Sequence, residues 1–310
     1  MKVAVLALFF ALCAAVTVPR AAAAPSDAVN LNGFDLAKGD TVALLGGTFL
    51  EREGNFGFLE TALTQHFADY GLKFRNLAWS ADTVFGHSRS YFGPPSEGLD
   101  RLRTQLQLVK PTVVVCQYGA AEAWEGKEKI APFVDGYRKL LDLIGQAAPG
   151  SRVVLLSPAP TEIHDAAPPL ARYTADLPAY RDAIRTLAEE RRAGFVDLLA
   201  ALSAVPESAR PLTENGLHFS ESGYRWLGSM LPVLAGGQPV TAPDEKLRAL
   251  IVEKNRLFFH RYRPANETYL FGFRKHEQGN NGAEIPLFDP LVEQKDREIA
   301  AHAAALKREP

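Results

Sequence analysis

The sequence predicts an α/β fold, a layered sandwich around a parallel five-stranded sheet with a C-terminal helical or irregular arm. Three observations predict it. Short apolar runs alternate with stretches of helical period from residue 40 to about residue 200. The helical stretches between runs are about ten to twenty residues long, which implies βαβ units. Two runs, VVVC and VVLL, are apolar at every position, as in strands covered by helices on both faces.

The elements follow in order. DTVALLGG (40–47) reads as the first strand, ending in a tight Gly46-Gly47 turn with one hydroxyl, Thr48, at its tip. FGFLETALTQHFADYG (56–71) spaces Phe56, Leu59, Leu63 and Phe67 three to four residues apart, an amphipathic helix stopped by Gly71. LKFRNLAW (72–79) is the second strand, and residues 97–110 form a helix stopped by Pro111. PTVVVCQYG (111–119) is the third strand, followed by a helix over 130–150 that ends in Pro-Gly. SRVVLLSPAP (151–160) is the fourth strand, 176–194 a helix, and FVDLLA (195–200) starts as the fifth strand. In TENGLHFSESGYRWLG, Asn215-Gly216 marks a turn, and Ser220 or Ser222 caps the next helix. LAGGQPVTAPDEK (234–246) reads as a connector, and a final helix spans about 290–307.

The 310 residues, 47% hydrophobic and 23% charged, suit one large globular domain or two small ones. Residues 1–24 read as a cleaved signal peptide. Lys2 supplies the positive start, Val3 to Val16 the apolar stretch, and Ala21-Ala22-Ala23 the cleavage pattern. The expectation is a secreted or periplasmic protein, with an apolar stretch too short for a membrane span and no further one after it. Without Lys2 and Arg20 the chain carries 32 basic against 36 acidic residues and no basic stripe, which argues against nucleic acid. Cys116 remains as the one cysteine, a buried core residue with no partner for a disulfide. No cofactor motif occurs, and His260, His276 and Glu277 fit no zinc-ligand spacing. Oligomeric state is not predicted.

Ligands of open parallel sheets bind at the carboxyl ends of the strands. Four stretches fall there: GGTFLER, NLAWSADTVFG, YGAAEAW and the loop around His218. Asp82 and Glu122 place two carboxylates at strand ends. They suit acid–base work, or Asp82-Thr83 caps a helix while Glu122 binds backbone amides. Residues 255–281 crowd His260, Arg261, Arg274 and His276 among aromatics. Two roles fit this tail: a flap that contacts sugar across the cleft, or a packed arm whose arginines pair with acids. Asn266-Glu267-Thr268 matches a glycosylation sequon.

On these four blocks, in this order and spacing, residues 38–235 resemble the SGNH (GDSL-like) hydrolase family, leaving 236–310 as an extension that packs on that domain. The resemblance implies a flavodoxin-like sandwich and an esterase acting on a small-molecule or carbohydrate ester. It places Thr48 at the family's serine nucleophile, Gly47 at the aspartate before it, and Ala81 at a glycine whose N–H serves the oxyanion hole. Ala121 falls at an oxyanion-hole asparagine, Asn215 at the aspartate of the Asp-x-x-His pair, and His218 at the catalytic base.

The departures differ in weight. Alanine has the backbone N–H that Ala81 must supply. Threonine keeps a hydroxyl on a stiffer, more crowded carbon. Ala121 lacks a side-chain donor, a loss of about 10²–10³ in rate by analogy with one oxyanion-hole deletion. Asn215 cannot support an imidazolium as a carboxylate does, and an equivalent exchange in a serine protease loses about 10⁴. Glu214 is the alternative orienter for His218, and Glu122 or a tail histidine the alternative base. Two functions follow: ester hydrolysis with Thr48 as nucleophile, backbone N–H groups of Thr48 and Ala81 as oxyanion hole, and Gly47, Asp82, Glu122 and the tail near substrate; or a non-catalytic module of the same fold that binds a carbohydrate or protein.

Overall fold

The computed structural model describes residues 36–307, apart from 92, 163–167, 235–239 and 241. The predicted signal peptide and Cys13 lie outside the described residues.

Five strands form one parallel sheet: β1 (Thr41–Gly46), β2 (Lys73–Asn76), β3 (Val113–Gln117), β4 (Arg152–Leu156) and β5 (Gly194–Val196), in the order β2-β1-β3-β4-β5. Alternate residues of each strand face opposite layers. Ala43, Leu45, Val114, Cys116 and Leu155 meet one set of helices, α3 (Pro95–Val109), α4 (Ile130–Ala147) and α5 (Pro168–Arg191). Val42, Leu44, Val113, Val115 and Leu156 meet the other set, α1 (Thr48–Phe56), α2 (Phe58–His66) and α7 (Glu221–Leu234). Between them, α6 (Leu198–Ser203) opens on Asp197, whose carboxylate accepts the Ala200 N–H at 2.9 Å. Each such apolar side chain taken fully from water contributes about 1.5–3 kcal/mol. Cys116 is one of them, and burial pushes its thiol far up, which suits a packing role.

Two helices differ from expectation. A separate helix, α1, begins at Thr48 where the sequence suggests only a turn. Gly57, at φ +72°, ends α1 and starts α2, so the expected helix from Phe56 is broken there. A side chain at Gly57 would press on Ile251 and Val252, with contacts at 3.2 and 3.1 Å. The other helix, α5, starts earlier than expected and runs through Pro178.

The tail is a packed arm. Helix α8 (Glu245–Tyr262) lies beside β2, an edge strand, and against α1 and α2, which covers an open edge. After the short α9 (Glu267–Leu270), helix α10 (Phe288–Leu306) packs along α8. Lys254, fully buried on α8, donates to both carboxylate oxygens of Glu60 at 2.7 and 2.8 Å and to the Phe74 carbonyl at 3.0 Å. Arg75 of β2 pairs with Asp296 of α10. Tyr262 donates to the Ala78 carbonyl at 2.9 Å. No helix among the described residues is long and apolar enough to cross a membrane.

Candidate active site

At the carboxyl end of β1 the chain must turn sharply past β3. A Cβ on Gly46 would lie 2.4 Å from the Gln117 carbonyl oxygen, so only glycine fits. Gly47 then serves as N-cap of α1, and its carbonyl accepts the Glu51 N–H at 3.1 Å. Thr48 is therefore the first residue of a helix. Its own N–H sits in the first turn, where backbone donors have no intrahelical acceptor.

Ala81, in the loop after β2, points its N–H at the Thr48 hydroxyl oxygen, 3.0 Å away. It does so with φ at +57°, a left-handed conformation that costs a non-glycine residue about 1–2 kcal/mol. Alanine thus holds, under strain, a conformation that favours glycine, and its N–H is directed at the Thr48 hydroxyl.

His218 sits on a loop held by Glu162. That carboxylate accepts the N–H groups of Leu212 and Thr213 and the Thr213 hydroxyl, each at 2.8 Å. Burial pushes its pKa up, but these bonds and Arg210 outweigh burial and hold it below the usual range. Gly216, at φ +83°, makes the turn. Ser220, ahead of α7, accepts the Gly223 N–H at 3.2 Å, as expected of a cap.

Asn215 Oδ1 accepts two backbone N–H groups, Leu217 at 3.2 Å and His218 at 2.9 Å. Those bonds fix which way the amide faces. Its NH₂ lies 3.0 Å from His218 Nδ1. An amide N–H can only donate there, so Nδ1 accepts and a neutral imidazole carries its proton on Nε2. A carboxylate at this position would impose the opposite tautomer.

One cavity of about 380 Å³ joins Thr48, Ala81, Ala121 and His218, with Gly47 and Asp82 in its wall. The Thr48 hydroxyl and the His218 imidazole thus line the same cavity, and no hydrogen bond joins them. Trp124, 44% exposed, stacks on Tyr173 at 4.2 Å and offers a flat aromatic wall.

Several expected residues do something else. Asp82 caps no helix: it accepts from Arg89 Nε at 2.6 Å, and the fully buried Arg89 also donates to Gln105 and the Leu77 carbonyl. Glu122 stays out of the cavity wall and accepts the N–H groups of Val84 at 2.9 Å and Gly119 at 2.8 Å, the amide-binding role expected as one alternative. Burial raises its carboxyl to about 7. Glu214 does not orient His218. It pairs with Arg52 at 2.7 Å, because adjacent residues on this loop point apart.

His260, Arg261, Arg274 and His276 do not line the cavity, because α8 carries the tail along the β2 edge instead. Arg261 pairs with Asp289 at 2.8 Å, and Arg274 with Glu277. His276 is exposed. The flap reading of the tail is thereby corrected to the packed arm.

Arg52 was not singled out by the sequence. It lies one turn past Thr48 on the same face of α1, lines the cavity, and donates to Glu214 and the Phe219 carbonyl. A helical reading of residues 48–56 is the signal that finds it.

A parallel sheet with a helix-start hydroxyl, a strained backbone donor and a loop imidazole at its carboxyl edge is an α/β protein with a cavity at the strand ends, where ligands of such sheets bind. The GDSL-like Lipase/Acylhydrolase family matches residues 40–226, more than half of the chain, and the chain belongs to that family. Curated proteins give no match. Among solved structures, BT4096, a gut microbial diltiazem-metabolizing enzyme, is similar with TM-score 0.51 and 16% identity, covering 65% of this chain and 48% of that one. A catalytic mutant of Axe2, an acetylxylan esterase from Geobacillus stearothermophilus, is similar with TM-score 0.50 and 18% identity, covering 66% of this chain and 97% of that one. At such identities the likeness is one of fold.

Proposed function

We propose that this chain is an exported ester hydrolase acting on an acylated carbohydrate or a similar polar ester, with Thr48 as nucleophile and His218 as base. The observation that carries this reading is the convergence of Thr48, the Ala81 N–H and His218 on one cavity. The Thr48 oxygen attacks the acyl carbon while its proton passes to His218 Nε2. The carbonyl oxygen, now negative, takes the N–H groups of Thr48 and of Ala81, which gives up its bond to the Thr48 oxygen as that oxygen attacks, and the alcohol leaves with the proton. Water then releases the acid and regenerates the threonine. The Trp124–Tyr173 wall suits the apolar face of a sugar ring. Export rests on residues 1–24.

His218 is a base only in the tautomer with its proton on Nδ1, which the Asn215 amide disfavours. Turnover is therefore expected to be slow. The test is acetate release from acetylated xylo-oligosaccharides and p-nitrophenol release from its acetate by the purified protein. Loss of both activities in Thr48→Val and in His218→Ala is expected, and a wild-type rate equal to buffer sinks the proposal.

The Asn215 amide and the bare methyl of Ala121 favour a second reading, a binding module that holds its ligand without turnover. It predicts ligand binding that survives both substitutions.

A further inference from the structure

A second cavity, of about 430 Å³, lies across α1 from the first. Thr48, Phe49 and Arg52 face the catalytic cavity, whereas Glu51, Gly54 and Asn55 face this one. Its other wall is α8, with Asn255, Arg256, Phe259 and His260. Its volume is that of a site for a small ligand.

The polar groups here are open in an unusual way. Asn255 is 92% buried, since only 8% of it is exposed, and its buried side-chain oxygen accepts no hydrogen bond among the described residues. A buried amide oxygen without a donor costs about 1–3 kcal/mol, so the site favours a ligand that donates to it. Arg256, exposed on the rim, has no carboxylate or hydrogen-bond partner among the described residues. The one acid in the wall, Glu51, is already engaged by Ser80 and Arg263. The cavity therefore presents an uncompensated positive charge. Phe259, 37% exposed, adds an aromatic surface, and Asn55 a second amide.

We propose that this cavity is a separate binding site for one acidic sugar unit of a saccharide chain. Arg256 takes the carboxylate, Asn55 and Asn255 take ring hydroxyls, and Phe259 packs on the C–H face. An amide accepts from one hydroxyl and donates to another, which suits a polyol better than a simple anion. Held here, a saccharide chain would be tethered behind the helix that carries Thr48. The proposal does not require ester hydrolysis, because binding is read directly.

Calorimetric titration with trigalacturonate and with neutral xylotriose tests it on the full chain. Saturable binding of trigalacturonate is expected, weakened about tenfold or more in Arg256→Gln and in Asn255→Ala, the size of one charge-assisted or buried hydrogen bond. Arg256→Lys retains most of the affinity, and xylotriose binds at least about tenfold more weakly. The Thr48→Val, His218→Ala double variant binds as the wild type does. Arg256 is partnerless, so Arg256→Gln leaves the melting temperature unchanged and lost binding cannot be ascribed to unfolding. The proposal is overturned by no saturable binding to the wild type, by equal affinity for both saccharides, or by loss of binding in the double variant, which would assign the ligand to the catalytic cavity.

Discussion

Replacing Asn215 by aspartate should convert a slow site into a faster one. The amide NH₂ lies 3.0 Å from His218 Nδ1, and the amide oxygen is pinned by the Leu217 and His218 N–H groups. Aspartate keeps the pinned oxygen and puts its second oxygen where the NH₂ was, with no movement needed to accept the Nδ1 proton. Nε2 then carries the lone pair that a base needs. A negative charge about 4 Å from the imidazolium formed during attack contributes roughly 4 kcal/mol at an effective dielectric constant near 20. That is an upper value, because Asn215 is exposed and water screens the pair. The opposite exchange in a serine protease, at a buried site, loses about 10⁴. The expected gain in kcat/KM is about 10²–10³, with Thr48 and Ala121 still limiting the absolute rate. The assay is p-nitrophenyl acetate hydrolysis, with Asn215→Asp, His218→Ala as the background, and nitrogen NMR of the imidazole to read the tautomer. A rate unchanged in Asn215→Asp, with the wild-type proton already on Nδ1, would refute the tautomer argument.

Three further outcomes are expected. Lys254→Met leaves Glu60 buried without its cation and should destabilise the fold by about 3–5 kcal/mol in urea titration, tying the arm to the domain. Ala81→Gly removes left-handed strain of about 1–2 kcal/mol against glycine's added unfolded-state entropy of about 0.5–1, for a net gain of about 0.5 kcal/mol by thermal unfolding. Glu122, raised by burial from 4.5 to about 7, binds a proton in the folded chain that the unfolded chain has released across that window. Its contribution is complete below about pH 4.5 and is lost as pH rises through 7, at most on the order of 3 kcal/mol. Urea titrations from pH 4.5 to 7.5 should show that slope in the wild type and a flatter one in Glu122→Gln.

Much of the fold was readable locally. VVVC and VVLL announce strands covered on both faces, and Cys116 and Leu155 indeed pair across β3 and β4 with every neighbour buried. Helix α1 was not readable, because Gly46 and Gly47 signal a turn and mask the helix start that follows. For the same reason Arg52 was missed while Thr48, four residues earlier, was found. That His218 and Thr48 would line one cavity was legible through the order of the four strand-end blocks, not through any local pattern. Asp82 and Glu122 looked alike as strand-end carboxylates. One turned out to face a buried arginine and the other two amides, a distinction made by residues 7 and 38 positions away.

The sequence by itself determined the strands, most of the helices and the residues that could do chemistry, because period and turn propensity are properties of neighbours along the chain. Only the tertiary structure decided which way the Asn215 amide faces, that Glu214 answers to Arg52, and that the tail runs along β2 and leaves the cavity open. Those outcomes depend on which hydrogen-bonding partners compete for one group in space, and the competitors come from strands, loops and helices far apart in sequence.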